Sequence, residues 1–193
     1  MSAAPGGVLL DFDGTLTKPA FDWPAMKAEM GLAEETVSIL DYMAAAPAPR
    51  ARRVARILER HERAAVRRAE ANEGARELVA FLRQRGLPFG VVTNNAMRHV
   101  VPMLRRIGIA IETVVTRDIG CWKPDPRHTL AGAEAIGVPP GRCVFIGDGR
   151  YDMLAARGAG MVAVHLSPVP GPLCDHRVGC LGEAILLLDR LLQ

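Results

Sequence analysis

The sequence predicts an α/β fold, a doubly wound parallel sheet with a small helical insertion after its first strand. Two observations carry this. Short apolar runs at Val8–Leu10, Leu87–Val92, Ile111–Val115, Cys143–Ile146 and Met161–Leu166 alternate with helical stretches. That alternation is the pattern of a parallel sheet covered on both faces. Residues 18 to about 73, by contrast, contain no convincing strand. At 193 residues, 49% of them hydrophobic, the chain is one domain with an insertion, or one and a half domains, with enough apolar surface for a sizeable core.

The first run ends in Asp11-Phe12-Asp13-Gly14-Thr15-Leu16-Thr17. Side chains alternate along a strand, so Asp11 and Asp13 can face the same side where the strand runs out. Gly14 permits a sharp turn off the sheet. Two neighbouring carboxylates repel and are costly to bury unpaired, and a divalent cation would compensate. One carboxylate could attack while the other moves a proton. Taken alone, the pair is equally a polar strand end before a turn.

Within the insertion, Asp22 and Pro24 open a short helix carrying Trp23, Met26 and Met30. Thr36–Met43 is a second helical stretch, broken by the Pro47 and Pro49 segment. A longer helix covers about 50 to 71, with Val54, Ile57, Leu58, His61 and Ala65 as its buried stripe. Its other faces carry eight arginines between Arg50 and Arg68. Glutamates at i,i+4 spacing, such as Glu59 and Arg63, predict a solvated face laced with ion pairs. No aromatic residue offers a stacking platform, so the helix is not read as a nucleic-acid binder.

From Asn72 the alternation resumes. Ala75–Arg85 is an amphipathic helix stopped by Gly86. The next strand ends at Thr93-Asn94-Asn95, whose hydroxyl, amides and backbone N–H groups suit either a helix cap or an anion. A helix to about Ile107 contains Pro102. After the Ile111–Val115 strand comes Cys121-Trp122-Lys123-Pro124-Asp125-Pro126, where Asp125 caps a helix and Lys123 is a flexible loop cation. The Cys143–Ile146 strand ends in Gly147-Asp148-Gly149-Arg150-Tyr151-Asp152, again with two carboxylates, the second entering a helix. A strand at Met161–Leu166, a loop with Pro168, Pro170 and Pro172, and a Leu-rich helix at 181–192 follow. The polar clusters and the lysine all follow strands, so they gather on the edge where such sheets bind ligands.

The net charge of +3 names no partner, and no run is long or apolar enough to span a membrane. The residues before Val8 lack the basic start and apolar core of a secretory signal and read as a flexible lead-in. Cys121, Cys143, Cys174 and Cys180 show no C-x-x-C spacing. Reduced thiols in a cytoplasmic protein are the expectation.

Together, Asp11-Phe12-Asp13-Gly14-Thr15-Leu16-Thr17, Thr93-Asn94-Asn95, Lys123-Pro124 and Gly147-Asp148 with Asp152 resemble the four ordered motifs of the haloacid dehalogenase-like (HAD) hydrolase superfamily. The insertion resembles the helical cap of its phosphoglycolate phosphatase-like branch. The resemblance implies a Rossmann-like core at 1–17 and 74–193 with a cap at 18–73. It implies a Mg²⁺-dependent phosphatase acting on a small phosphomonoester through an aspartyl-phosphate. Asp11 would be the nucleophile and Asp13 the acid and base. Thr93, Asn94 and Lys123 would bind the phosphoryl group, Lys123 also pairing with the nucleophile. The Asp11 carboxylate, the Asp13 carbonyl and Asp148 would hold the metal, with Asp152 supporting from just outside.

Asp13 argues against dehalogenation, because a halide leaving group needs no proton. Lys18-Pro19 replaces the Asp-Ser pair of many capped members, Gly149 replaces a common hydroxyl residue, and the cap is short. These departures weigh against phosphoglycolate itself and predict a less enclosed site, with Lys18 adding positive charge at its mouth. The same motifs also serve phosphomutases, and the fold alone also serves binding modules.

Overall fold

The strands β1 (Gly7–Leu10), β2 (Phe89–Thr93), β3 (Val114–Thr116), β4 (Cys143–Gly147), β5 (Val162–Leu166) and β6 (His176–Val178) form one sheet in the computed structural model, which describes residues 4–32, 38–169, 171 and 173–193. All neighbours run parallel, in the order β3-β2-β1-β4-β5-β6. The chain builds outward from β1 to one side, then returns to β4 and builds to the other. This leaves a switch point between β1 and β4, where the loops after the two strands diverge.

Four of the expected strands lie within a residue or two of their apolar runs. β3 does not. It begins at Val114, because the chain must first leave the preceding helix through Gly108, which sits at φ +67°, and only then meet β2, where Val91 pairs with Val114. β6 is a strand the sequence hid. Its three residues, His176-Arg177-Val178, have one buried apolar side chain and no periodicity to read. Pro170 and Pro172 of the preceding loop lie outside the described residues.

The helices between strands are α4 (Ala75–Gln84), α5 (Met97–Ile107), α6 (Pro126–Ala135), α7 (Arg150–Gly158) and α8 (Leu181–Leu191). Alternation along β1 sends Val8 and Leu10 to one face and Leu9 to the other. The first face packs on Leu78, Leu82, Met103, Ile107 and Leu188 of α4, α5 and α8. The second packs on Ala133, Met153 and Ala156 of α6 and α7, around Phe145. Asp125 caps α6 as expected, accepting from Arg127 N with Pro126 at the first position.

Between β1 and α4 lie α1 (Trp23–Met30), α2 (Ile39–Ala45) and α3 (Ala48–Arg68). Asp22 caps α1 by accepting from Ala25 N. Ser38 caps α2, so that helix starts at Ile39 and runs to Ala45. The expected start at Thr36 lies outside the described residues. Pro47 stands at the N-cap of α3, which ends at Arg68, short of 71, where Ala69 turns extended. These helices bury Met26, Met30, Ile39, Leu40, Val54 and Leu58 in a cluster of their own.

The buried stripe of α3 differs from expectation at one position. Beyond Leu58 it passes through Glu62, which is buried, and not through His61, which stays half-exposed against Glu29 at 3.0 Å. Nor does Glu59 pair with Arg63. It reaches across to α5, where Arg98 and His99 take its carboxylate.

Gly132 sets how closely α6 approaches the sheet. A Cβ there would lie 2.5 Å from Val92 Cγ2 and 3.0 Å from Leu9 Cδ1. Helix propensity alone would make alanine at an interior helical glycine stabilising by up to about 1 kcal/mol. Overpacking costs about 1–3 kcal/mol and should win here. Gly132→Ala is therefore expected to lower stability in urea unfolding; a midpoint at or above wild type would show that the helix backs off freely.

Candidate active site

The switch point brings the sequence-predicted residues together. Asp11 follows β1 and its N–H donates to Ile146 O of β4 at 2.9 Å, so β1 and β4 carry Asp11 and Asp148 to the same edge. Gly14 sits at φ +84°, and a Cβ there would lie 2.3 Å from Asp148 Oδ2, so only glycine lets the two loops close on each other. Thr15 Oγ1 donates to Asp148 Oδ1 at 3.2 Å. Asn72 Nδ2 donates to the carbonyls of Gly14 and Thr15 and pins the turn from the far end of the insertion.

Lys123 is not the flexible loop cation its position suggests. It is 3% exposed. Its Nζ lies 2.5 Å from Asp11 Oδ1, 2.6 Å from Asp152 Oδ1 and 2.9 Å from Val92 O. Three acceptors satisfy its three protons. Its backbone is held as well. Asn94 Nδ2 donates to Lys123 O at 2.9 Å, and Lys123 N donates to Asn94 Oδ1 at 2.8 Å.

The Asn94 amide thus also braces the lysine loop, using one Nδ2 proton and its oxygen. The Thr93 oxygen accepts from Asn95 N at 3.2 Å, which leaves its O–H to donate. None of the three polar residues caps α5, whose N-cap is Ala96 without a side-chain bond.

The electrostatics follow from crowding. Burial raises the Asp11 carboxyl well above the carboxylate range. The charge of Asp152 adds to this, Lys123 opposes it, and Asp148 adds further. Burial raises Asp148 too, with Asp152 again contributing. Burial alone would lower Lys123, but Asp11 and Asp152 outweigh it and hold the ammonium above its ordinary value. Asp13 is pushed up to about 7, chiefly by burial, with the Ala20 N–H pulling it back. That places a proton donor and acceptor near neutrality beside Asp11.

Carboxylate oxygens of Asp11, Asp148 and Asp152 lie within 4.8 Å of one another. One lysine does not neutralise them, and a hard divalent cation with oxygen ligands fits the donor set. Asp152 is the least available ligand, since its Oδ1 pairs with Lys123 and its Oδ2 accepts from Gly149 N. The Asp13 carboxylate turns away toward Ala20 N and Thr17 Oγ1, consistent with a proton-transfer group rather than a ligand.

A cavity of about 550 Å³ opens over these groups. Its floor is Asp11, Asp13, Thr93, Lys123 and Asp148, and its far wall includes Phe21, Trp23, Ile39, Leu40 and Leu58 of the insertion. Lys18 is not part of it. Its Nζ pairs with Glu70 at 2.7 Å in solvent, so it adds no free charge at the mouth.

Sequence reasoning missed Glu62 and Arg117, which also line the cavity, and His165, whose Nε2 lies 3.0 Å from the Asp148 carbonyl. The one legible signal was Glu62, a carboxylate four residues after Leu58 and three before Ala65 on an apolar stripe.

Removing Lys123 leaves buried carboxylates without their cation, a change that costs about 3–5 kcal/mol. Lys123→Met without metal should lose about that much at pH 7 and less at pH 5. The raised Asp11 and Asp148 bind protons more tightly folded than unfolded, so acid relieves the repulsion. Urea unfolding at both pH values checks it; an equal loss at both would remove the charge argument.

The profile described as "haloacid dehalogenase-like hydrolase" matches residues 6–160. A phosphoglycolate phosphatase of Xanthomonas campestris is 33% identical over 186 residues, covering 83% of this chain and 82% of its own. A hydrolase from Pseudomonas syringae superposes with TM-score 0.81 at 24% identity over 97% of this chain and 100% of its own, which shows the fold. A HAD family hydrolase from Deinococcus radiodurans with bound phosphate and sodium gives 0.71 at 26% identity over 98% and 97%. With its motif residues gathered on the expected edge of that fold, this chain belongs to the haloacid dehalogenase-like hydrolase family.

Proposed function

We propose that this hydrolase is a Mg²⁺-dependent phosphatase that cleaves a small phosphomonoester through an aspartyl-phosphate on Asp11. The observation that carries this is Asp13, raised to about 7, in the same cavity as an Asp11 held by Lys123. A nucleophile, a proton shuttle and a fixed cation are what phosphoryl transfer asks of side chains.

An Asp11 oxygen attacks phosphorus while the ester oxygen departs, taking its proton from Asp13. Water then attacks the aspartyl-phosphate and gives its proton to Asp13, and inorganic phosphate leaves with Asp11 restored. Thr93 donates its hydroxyl to a phosphoryl oxygen. Lys123 bonds Asp11 and balances charge on the transferring group, with Asn94 fixing the loop that carries it. The Asp11 carboxylate, the Asp13 carbonyl and Asp148 would hold Mg²⁺, with Asp152 outside them, and the bound ion supplies charge neutralisation.

Residues 18–73 serve as the cap over a core of 1–17 and 74–193, its apolar side facing the organic part of the substrate. The Xanthomonas relative makes phosphoglycolate one compound to try, while a cavity of about 550 Å³ leaves room for larger esters. A small-molecule substrate is in keeping with the phosphatase relative, and the four unpaired cysteines suit the reducing cytoplasm.

The test is phosphate release from a broad panel of phosphomonoesters, with Mg²⁺ and with chelator. Release should need the metal, and Asp11→Asn should fold normally and lose on the order of a thousandfold or more. Asp11→Asn turning over at the wild-type rate would refute the nucleophile. An isomeric sugar phosphate formed without free phosphate would identify a phosphomutase instead.

Asp148→Ala should raise the Mg²⁺ concentration for half-maximal release at least about tenfold. An unchanged metal dependence would take Asp148 out of the metal site.

A further inference from the structure

Glu62, Glu59 and His99 form a second titratable cluster, between α3 of the insertion and α5 of the core. His99 is buried, with Nε2 3.2 Å from Glu59 and Nδ1 3.2 Å from Glu62. The group has the composition of a metal site. Its carboxylates are already answered by guanidinium groups, however: Arg98 on Glu59, and Arg117 on both oxygens of Glu62 at 2.5 and 2.8 Å. A cation added there would meet two fixed positive charges, so the cluster is an ion-pair network.

One arm of that network continues to the active site. The Arg117 Nη1 that bonds Glu62 also donates to Asn94 O at 2.8 Å, and Arg117 N donates to Asn95 O at 3.4 Å. The Asn94 side chain bonds the Lys123 backbone in both directions. Lys123 Nζ holds Asp11. Each link is a hydrogen bond between groups buried or half-buried, where such bonds are strong and costly to leave unmade.

We propose that Glu62 is a positioning residue: through Arg117 and Asn94 it fixes the loop that presents Lys123 to Asp11, so that seating of the insertion helix on the core is read by the lysine of the active site. Glu62 is 1% exposed and touches none of the catalytic carboxylates in this chain of bonds. Its side chain is the point where the insertion enters the relay, and a bidentate carboxylate–guanidinium pair fixes both distance and plane.

The kinetic arm rests on the phosphatase reading; the other arm does not. Hydrogen exchange of the Lys123 amide, whose N–H bonds Asn94 Oδ1, is followed by NMR in the full chain, with the Leu10 amide of β1 as control. Glu62→Gln should speed exchange at Lys123 about tenfold or more with Leu10 unchanged. It should also lower kcat about 10- to 100-fold with KM within about threefold for every phosphomonoester turned over.

Arg117→Lys, which keeps a charge for Glu62 but loses the fork that also reaches Asn94 O, should do the same and decides the matter if Glu62→Gln does not fold. Unchanged Lys123 exchange in the folded variants overturns the relay. So does faster exchange with kcat intact, or a KM change confined to some substrates with kcat intact, which would make Glu62 a substrate-reading group. If wild type releases phosphate from no compound, the phosphatase reading falls while the exchange result still judges the relay.

Discussion

Too many carboxylates meet where β1 and β4 part, and the rest of the molecule is arranged around that excess. Asp11, Asp148 and Asp152 crowd together with Asp13 nearby, and among the described residues Lys123 is the one cation paired with them. A buried charge survives only when paired and hydrogen-bonded. Lys123 meets both conditions, with two carboxylates and the Val92 carbonyl as acceptors. The residual negative charge favours a bound cation and a protonated Asp13. The same imbalance that costs folding free energy marks this edge as the candidate active site, since perturbed titratable groups cluster where chemistry is done.

The sheet, and the edge where the candidate residues gather, were legible in the sequence for a local reason. Asp11, Asp13, Thr93 and Asp148 each sit within a few residues of a buried apolar run, and a parallel sheet delivers all such strand ends to one edge. Asp11, Thr93 and Asp148 needed only that rule. Lys123 was placed on the right loop but with the wrong environment, because burial of its ammonium depends on Asp11 and Asp152, distant in sequence. That Asn94 also holds the Lys123 backbone was not legible, since nothing local records where the Lys123 loop will pass. β6 and the position of Glu62 on α3 depend on tertiary packing for the same reason.

The insertion works with two kinds of surface. Its apolar cluster keeps α1, α2 and α3 together and lends Leu40 and Leu58 to the cavity wall. Its polar contacts to the core include the Glu59 carboxylate held by Arg98 and His99. Trp122 Nε1 donates to Asp41 Oδ1 at 2.6 Å, and Glu62 grips Arg117. Arg117 and Trp122 both lie in the stretch that leads into Lys123. The arginine-rich outer face of α3, by comparison, makes exposed pairs such as Arg60 with Glu29, which are worth little.

The two ends of the insertion leave the core side by side. Thr17 bridges Ala71, Lys18 N donates to Glu70 O, and Asn72 N donates to Leu16 O. Because the exit and return strands already touch, the intervening length sets almost no condition on the sheet, and lengthening it costs only a slowly growing closure entropy. The insertion is mounted as a replaceable part on a two-strand stem. A lineage, or an engineer, could exchange what stands above that stem while the carboxylates, the lysine and the strands beneath keep their places.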